Sequence, residues 1–140
     1  KIDSYDFAKK MAESLAPNNG VLFVDTKNSA QLEGKYLSEK NDLKVLRKGS
    51  IDYLAIPIDA SEKILDSNEF FGGIVNKENS YNYILIDQDS LNTANPYLAA
   101  KLCDMEIILI DEKTKKADLD KAISDLRELG LGYCGVVFHK

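Results

Sequence analysis

Three short apolar runs, each followed by an aspartate, constrain the fold of this chain more than any other feature. The runs are Val21–Val24, Tyr83–Ile86 and Ile107–Ile110, and the residues that follow them are Asp25, Asp87 and Asp111. Short runs without polar alternation are typical of strands that are buried on both faces, as in a parallel sheet. A fourth run, at 133–138, predicts a final strand.

Segments with helical spacing of their apolar residues separate these runs. Four helices are predicted, and the first covers residues 3–16, with Asp3 or Ser4 as its cap. The second runs from Ser61 to Val75, and Gly72-Gly73 weakens its last turn. The third runs from Pro96 through Leu102, and the fourth covers 119–129 and is closed by Gly130. Strands that alternate with helices place the chain in the α/β class. We therefore expect a mainly parallel sheet with helices on both faces, a Rossmann-like three-layer sandwich.

The region after the first apolar run is less regular. Residues 29–40 are polar and predict a short helix or a loop. Short strands are expected at Leu43–Leu46 and Tyr53–Ile58, on either side of a Lys48-Gly49-Ser50 turn.

Size and charge limit the possible functions. The 140 residues are expected to form one domain, and the net charge of -5 argues against a nucleic-acid partner. No apolar run approaches the roughly 20 residues that span a bilayer, and we expect no secretory signal. Because the first residue is Lys1, we expect a domain excised from a longer protein. Cys103 and Cys134 lack CxxC spacing and are expected to be reduced packing residues of a cytosolic protein.

The strand-end aspartates are the main candidates for chemistry. In an open parallel sheet, ligands bind beyond the carboxyl ends of the strands, where Asp25, Asp87 and Asp111 would converge. Several carboxylates in one crevice suit Mg²⁺, and Asp89 is a further candidate ligand. The structural alternative is that each aspartate only caps the turn that follows its strand.

Other catalytic patterns are missing. Gly34-Lys35 is followed by Tyr36 and preceded by no glycine at the required spacing, so it is not a phosphate loop. No nucleophile elbow is present. The single histidine, His139, is interpreted as a surface or edge residue, and the lysines of 113–116 as a solvated approach to a helix.

The order of these elements resembles bacterial tyrosine kinases of capsular and exopolysaccharide synthesis, relatives of the partitioning ATPases. Tyr81–Asp87 stands in place of the family's Y-D-x-V-I-I-D strand, and Val21–Asp25 in place of its V-L-L-I-D strand. Ala99–Asp104 resembles the helix end L-A-D, and Gly135–His139 resembles G-V-V-L-N. The resemblance implies a P-loop ATPase-like domain over 1–140, in which Asp25 and Asp87 would place magnesium and His139 would stand at the base-reading position.

The chain departs from that family at the nucleotide site. Asp3-Ser4-Tyr5 aligns with the Gly-Lys-Ser of the phosphate loop, and Lys27 replaces the second aspartate of the D-x-D pattern. His139 replaces the asparagine that reads the base, and no tyrosine cluster follows at the C-terminus. Each lost phosphate contact removes about 1.5–3 kcal/mol.

The preferred hypothesis is a degenerate kinase-like domain in polysaccharide synthesis, a docking or regulatory module that binds no cofactor tightly. The implied partner is the polysaccharide chain-length regulator or another membrane assembly protein, and a homo-oligomer is also considered. The expected location is the cytoplasm, at the inner face of the membrane through a segment outside this chain.

Two alternatives stay open. The first is an active ATP-dependent protein tyrosine kinase whose phosphate loop lies upstream of Lys1 or is unorthodox, with Asp25 and Asp87 holding Mg-ATP. The second is a receiver-like signalling module in which Asp87 accepts a phosphoryl group. Receivers usually carry an acidic pair after the first strand, whereas Asp25 is followed by Thr26-Lys27.

Overall fold

The computed structural model describes residues 3–27, 45–56, 68–88 and 90–140. The helices are α1 (Ser4–Leu15), α2 (Asn68–Lys77), α3 (Asn95–Ala100) and α4 (Lys116–Glu128). The strands are β1 (Val21–Asp25), β2 (Leu46–Lys48), β3 (Ile51–Ala55), β4 (Tyr83–Asp87), β5 (Met105–Ile110) and β6 (Tyr133–Phe138). The predictions for 29–40, for Leu43, for Ile58, for the Ser61 helix start and for Asp89 fall outside the described residues.

The sheet is mostly parallel. Four strands pair in the order β2-β3-β1-β4, in which β1 runs parallel to both β3 and β4. The short strand β2 is antiparallel to β3, because the chain reverses at Gly49, whose φ of 65° favours glycine. A separate parallel pair is formed by β5 and β6. The predicted α/β class with a mainly parallel sheet is confirmed, whereas the three-layer arrangement stays a prediction.

The central strand β1 is covered on both faces, as its uninterrupted apolar run predicts. Leu22 and Val24 face a cluster that includes Phe70 of α2. Val21 and Phe23 point to the opposite face and pack on α1. Because successive side chains of a strand alternate between faces, a strand between two apolar layers needs an apolar residue at every position.

A third cluster lies between the β5-β6 pair and the helices α3 and α4. Its buried members are Ala100, Ile108, Leu126 and Leu131. Both cysteines are free thiols packed against this cluster, as predicted. Within the part of the chain that the structure describes, no helix is both long and apolar enough to cross a bilayer.

Two helix ends differ from the sequence prediction. α2 continues through Gly72-Gly73 to Lys77, and Ile74, which follows these glycines, is buried in the core. Tertiary packing here outweighs the low helix propensity of glycine. In contrast, α3 ends at Ala100, because the amides of Leu102 and Cys103 bond three residues back and tighten the chain into a turn.

The strands β4 and β5 are less buried than predicted. Their apolar runs indicated burial on both faces, yet only Asp87 in β4 and Ile108 in β5 are fully buried. Tyr83 and Met105, which begin these strands, are exposed. Both strands line a cleft of about 1630 Å³, which leaves their apolar residues half-covered.

The carboxyl group of Glu106, on β5, makes the stability of the fold depend on pH. Burial raises the pKa of this carboxyl group to about 7 from an ordinary value of 4.5. A raised carboxyl pKa favours the folded state below pH 4.5, and this contribution is lost as the pH rises to 7. We expect Glu106→Gln to stabilise the chain at pH 8 by up to about 3 kcal/mol and to have little effect at pH 4. Urea unfolding at both pH values measures the difference.

The matched control is Glu112→Gln, which removes an exposed carboxylate next to the same strand. It should leave unfolding unchanged at both pH values. Equal effects of Glu106→Gln at pH 4 and pH 8 would show that burial does not perturb this group.

Candidate functional site

Two of the strand-end aspartates lie side by side. Asp25 and Asp87 end neighbouring parallel strands and are paired in register, and their exposed fractions are 0% and 3%. The carboxyl ends of parallel strands meet at one edge of a sheet, so this juxtaposition follows from the pairing of β1 with β4. Two acidic groups are thereby buried within one small region.

Lys27 brings a positive charge to this acidic pair. Its Nζ lies 3.3 Å from Asp87 Oδ2, and its side chain is only 19% exposed. The same ammonium donates to Ser4 Oγ at 2.6 Å, and that hydroxyl donates to the carbonyl of Gln88 at 3.2 Å. Lys27 therefore links the start of α1 to the end of β4.

The turn after β1 fixes the direction of Lys27. The backbone N–H of Lys27 donates to Asp25 Oδ1 at 3.2 Å, which closes a local turn. The Thr26 hydroxyl is buried and donates to the carbonyl of Asp87 at 2.6 Å. These two bonds tie the turn to both strand ends, so the lysine side chain is directed across β4.

The surroundings of Asp87 favour the neutral, protonated form of its carboxyl group more than water does. Burial raises the pKa of Asp87, while Lys27 and Ser4 oppose the shift and Asp25 adds to it. The Nζ–Oδ2 distance of 3.3 Å corresponds to an ion pair without a short hydrogen bond, and Oδ2 accepts no hydrogen bond. The lysine thus compensates the buried carboxylate only in part.

The start of α1 is occupied by an acidic side chain. Asp3 is the N-cap, and its Oδ1 accepts a hydrogen bond from the amide of Tyr5 at 3.0 Å. Asp6 adds a second carboxylate in the first turn. A helix N-terminus attracts anions through its free N–H groups, but here the protein's own carboxylates take that place.

The other candidates, Asp111 and His139, are not paired in register with Asp25 and Asp87. Asp111 caps its own turn, where Oδ1 accepts from the Lys113 amide at 2.9 Å and from the Thr114 hydroxyl at 3.1 Å. Those bonds lower the pKa of Asp111. Asp111 thus closes its own turn, as Asp25 does through the Lys27 amide, and it ends a strand of the separate β5-β6 pair. Its convergence with Asp25 and Asp87 stays a prediction. His139 is exposed beyond β6 and is not among the residues that line the cleft next to Asp87.

Metal ligation by Asp25 and Asp87 stays a prediction. Among the described residues, no group of three or more histidine, cysteine, aspartate or glutamate side chains could hold a metal ion. Mg²⁺ is bound through one or two carboxylates together with waters and substrate phosphates, so two aspartates alone do not exclude it.

Comparisons with solved structures show the fold. The VpsO kinase domain matches with a TM-score of 0.72 and 17% identity, over 98% of this chain and 76% of that one. The kinase domain of the Escherichia coli tyrosine kinase ETK matches with a TM-score of 0.75 and 13% identity, over 97% and 60%. A plasmid partition protein from Borrelia burgdorferi matches with a TM-score of 0.67 and 20% identity, over 96% and 70%.

The chain therefore has the same fold as the VpsO and ETK kinase domains, as its element order predicted. No family model matches the sequence, and no curated protein matches it significantly. At identities of 13 to 20%, these likenesses describe the fold and leave the activity to be judged from the site.

The ion pair of Lys27 was not predicted. The sequence identified this lysine only as a replacement in the D-x-D pattern, because its partners Ser4 and Asp87 lie 23 and 60 residues away. The sequence does contain a pattern that could have predicted this ion pair. A lysine two residues after one strand-end aspartate is within reach of a second aspartate when the two strands are parallel neighbours.

The ion pair can be tested by removing its cation. Lys27→Met should destabilise the fold by about 2–4 kcal/mol at pH 8, since it leaves the buried Asp87 carboxylate uncompensated. The loss should be smaller at pH 4, because the raised pKa of Asp87 lets the folded protein take up a proton there. Urea midpoints at both pH values measure this.

Two further variants complete the test. Lys27→Met/Asp87→Asn should recover most of the lost stability, whereas Lys10→Met, at an exposed position of α1, should change little. A loss of the same size at pH 4 and pH 8 would mean that Lys27 acts through packing alone.

Proposed function

We propose that this chain is a degenerate tyrosine-kinase-like domain of capsular or exopolysaccharide biosynthesis that acts as a docking or regulatory module without tight ATP binding. The fold supports the first part, since similar structures include the kinase domains of VpsO and ETK. One observation carries the second part. The Lys27 ammonium lies between Asp87 and Ser4, at positions that the sequence resemblance assigns to the magnesium ligand and the phosphate loop.

The charges around this position oppose a metal-nucleotide complex. A divalent cation placed on Asp87 would meet the ammonium of Lys27 at short range, and like charges repel. A phosphate placed at the start of α1 would meet the Asp3 carboxylate, which already accepts from the Tyr5 amide. The metal would therefore meet the like charge of Lys27 and the phosphate the like charge of Asp3, although the same ammonium, which donates to Ser4, would also attract the phosphate.

ATP binding is tested directly by calorimetric titration. We expect no saturable binding of ATP with Mg²⁺ at concentrations below about 1 mM, which corresponds to less than about 4 kcal/mol of binding free energy. The ETK kinase domain, titrated in the same buffer, serves as the positive control. Micromolar binding with phosphate release would instead support the alternative of an active tyrosine kinase with an unorthodox phosphate loop.

The proposed partner is a polysaccharide chain-length regulator or another membrane assembly protein, contacted by this domain from the cytoplasmic side. We expect the chain to bind immobilised cytoplasmic segments of such a regulator equally well with and without ATP. Surface plasmon resonance at two salt concentrations measures the affinity and its ionic part. Binding that appears only when ATP is added would contradict a nucleotide-independent module.

A further inference from the structure

A groove lies beside α1, on the sheet face that this helix covers only in part. α1 packs mainly on β1 and β4, whereas β3 and β2 continue the sheet on the far side of β1. Ile51 and Tyr53 of β3 lie on the helix-covered face, since they pack in one cluster with Phe23. The groove runs between α1 and the turn at Gly49, and its volume of about 370 Å³ suits one small molecule.

Opposite walls of the groove each carry a positive charge. Tyr5, Lys9 and Glu13 follow at intervals of four residues, so they lie on one side of α1. Lys48 comes from the other wall, because its pairing with Ile51 puts both side chains on the same face of the sheet. Within the described part of the chain neither lysine takes part in an ion pair, so both ammonium groups are available to a ligand.

The floor of the groove contains a tyrosine whose hydroxyl lacks a partner. Tyr53 is only 6% exposed, and its ring packs on that of Phe23 with a centroid distance of 5.5 Å. Its hydroxyl makes no hydrogen bond to any residue that the structure describes. Burial raises the pKa of Tyr53, so the hydroxyl keeps its proton at neutral pH and can donate. Because buried hydroxyls are nearly always bonded, this donor indicates an acceptor that the chain itself does not supply.

The charges of the groove favour a ligand with a single negative charge. Lys9 and Lys48 together exceed the Glu13 carboxylate by one positive charge, which one carboxylate balances. A doubly charged group would leave an excess of negative charge beside Glu13. The Glu13 carboxylate can instead accept hydrogen bonds from hydroxyl groups, and the hydroxyl of Ser50 can either donate or accept.

The surface between these polar groups is apolar. Ile51 and the ring of Tyr53 form its middle, and Ala16 and Pro17 form its lower end. Ligand sites commonly combine an apolar surface of this kind with a few polar groups that fix the orientation of the ligand. A ring that has one apolar face and hydroxyl groups on its rim matches both parts of the groove.

We propose that this groove binds a small ring-shaped carboxylate that carries hydroxyl groups, which is the chemistry of an acidic sugar. The ligand carboxylate lies between Lys9 and Lys48 and accepts from the Tyr53 hydroxyl, and the ring hydroxyls donate to Glu13. The inference does not rest on the proposed function, because neither aspartate of the acidic pair at the carboxyl edge of β1 and β4 lines this groove.

Titration with glucuronate, followed through the backbone amide chemical shifts by NMR, tests the site. We expect saturable shifts of the amides of 9–13 and 48–53, with a dissociation constant of about 1–10 mM, which is usual for a ligand of so few atoms. Glucose has a CH₂OH group in place of the carboxylate and should bind at least about tenfold more weakly. Glucose 1-phosphate, which carries a second negative charge, should bind no more tightly than glucuronate.

Three outcomes of this ligand series would overturn the proposal. The first is the absence of saturable shifts in these amides up to about 50 mM glucuronate. The second is equal binding of glucose, which would mean that the lysines do not recognise the carboxylate. The third is tighter binding of glucose 1-phosphate, which would make the groove a phosphate site. The series uses the unmodified chain, so it decides the proposal even where a substitution unfolds the protein.

Substitutions then assign the roles of the side chains. Tyr53→Phe removes only the hydroxyl and should weaken glucuronate binding about tenfold. Lys9→Met and Lys48→Met should each weaken it about threefold at low salt and less at high salt. The matched control is Lys10→Met, which removes the same charge from the neighbouring position of α1, outside the groove, and should leave the affinity unchanged.

An equal loss of affinity in Lys10→Met and Lys9→Met would show that only the net charge of the chain matters, and would overturn the placement of the carboxylate. Unchanged affinity in Tyr53→Phe, with a spectrum that is otherwise that of the folded chain, would overturn the role of the unpartnered hydroxyl.

Discussion

Two carboxylates buried side by side, on Asp25 and Asp87, are the constraint around which the carboxyl edge of this sheet is arranged. Neighbouring strands are about 4.8 Å apart, so two anions at paired strand ends repel each other strongly unless a cation or a proton compensates them. In a nucleotide-binding protein a metal ion can supply that charge. Here Lys27 supplies it from within the chain, and the raised pKa of Asp87 reflects compensation that is only partial.

The same substitution of internal for external charge occurs at the start of α1. The free N–H groups of a helix N-terminus and its dipole favour an anion, and Asp3 provides one. Together, Lys27 and Asp3 reproduce in side chains the signs of charge that magnesium and phosphate would bring. The chain's own charges therefore stand where the resemblance would put a metal ion and phosphate, which supports the proposal that the domain binds no nucleotide tightly.

Most of the fold could be predicted from local sequence patterns. The apolar run of β1, the stripe of α4 and the Asp3 cap each report on contacts within a few residues, and all three are found in the structure. The ion pair of Lys27 depends on which strands become neighbours in the sheet, and no local sequence pattern predicts the order of the strands. Asp111 illustrates the converse. Its position after a strand matches that of Asp25 and Asp87, but β5 pairs with β6 in a separate two-stranded sheet, so no strand register places Asp111 beside the other two.

The half-buried strands β4 and β5 show why apolar content alone did not predict burial. An apolar run such as Tyr83–Ile86 indicates that a strand is suited to apolar surroundings. Whether the strand is buried depends on the elements that pack beside it. Nucleotide binding at the carboxyl edge of β4 would have to break the Lys27–Asp87 ion pair and the Asp3 cap. The fold and the charges at its carboxyl edge are therefore separate physical requirements for binding a nucleotide.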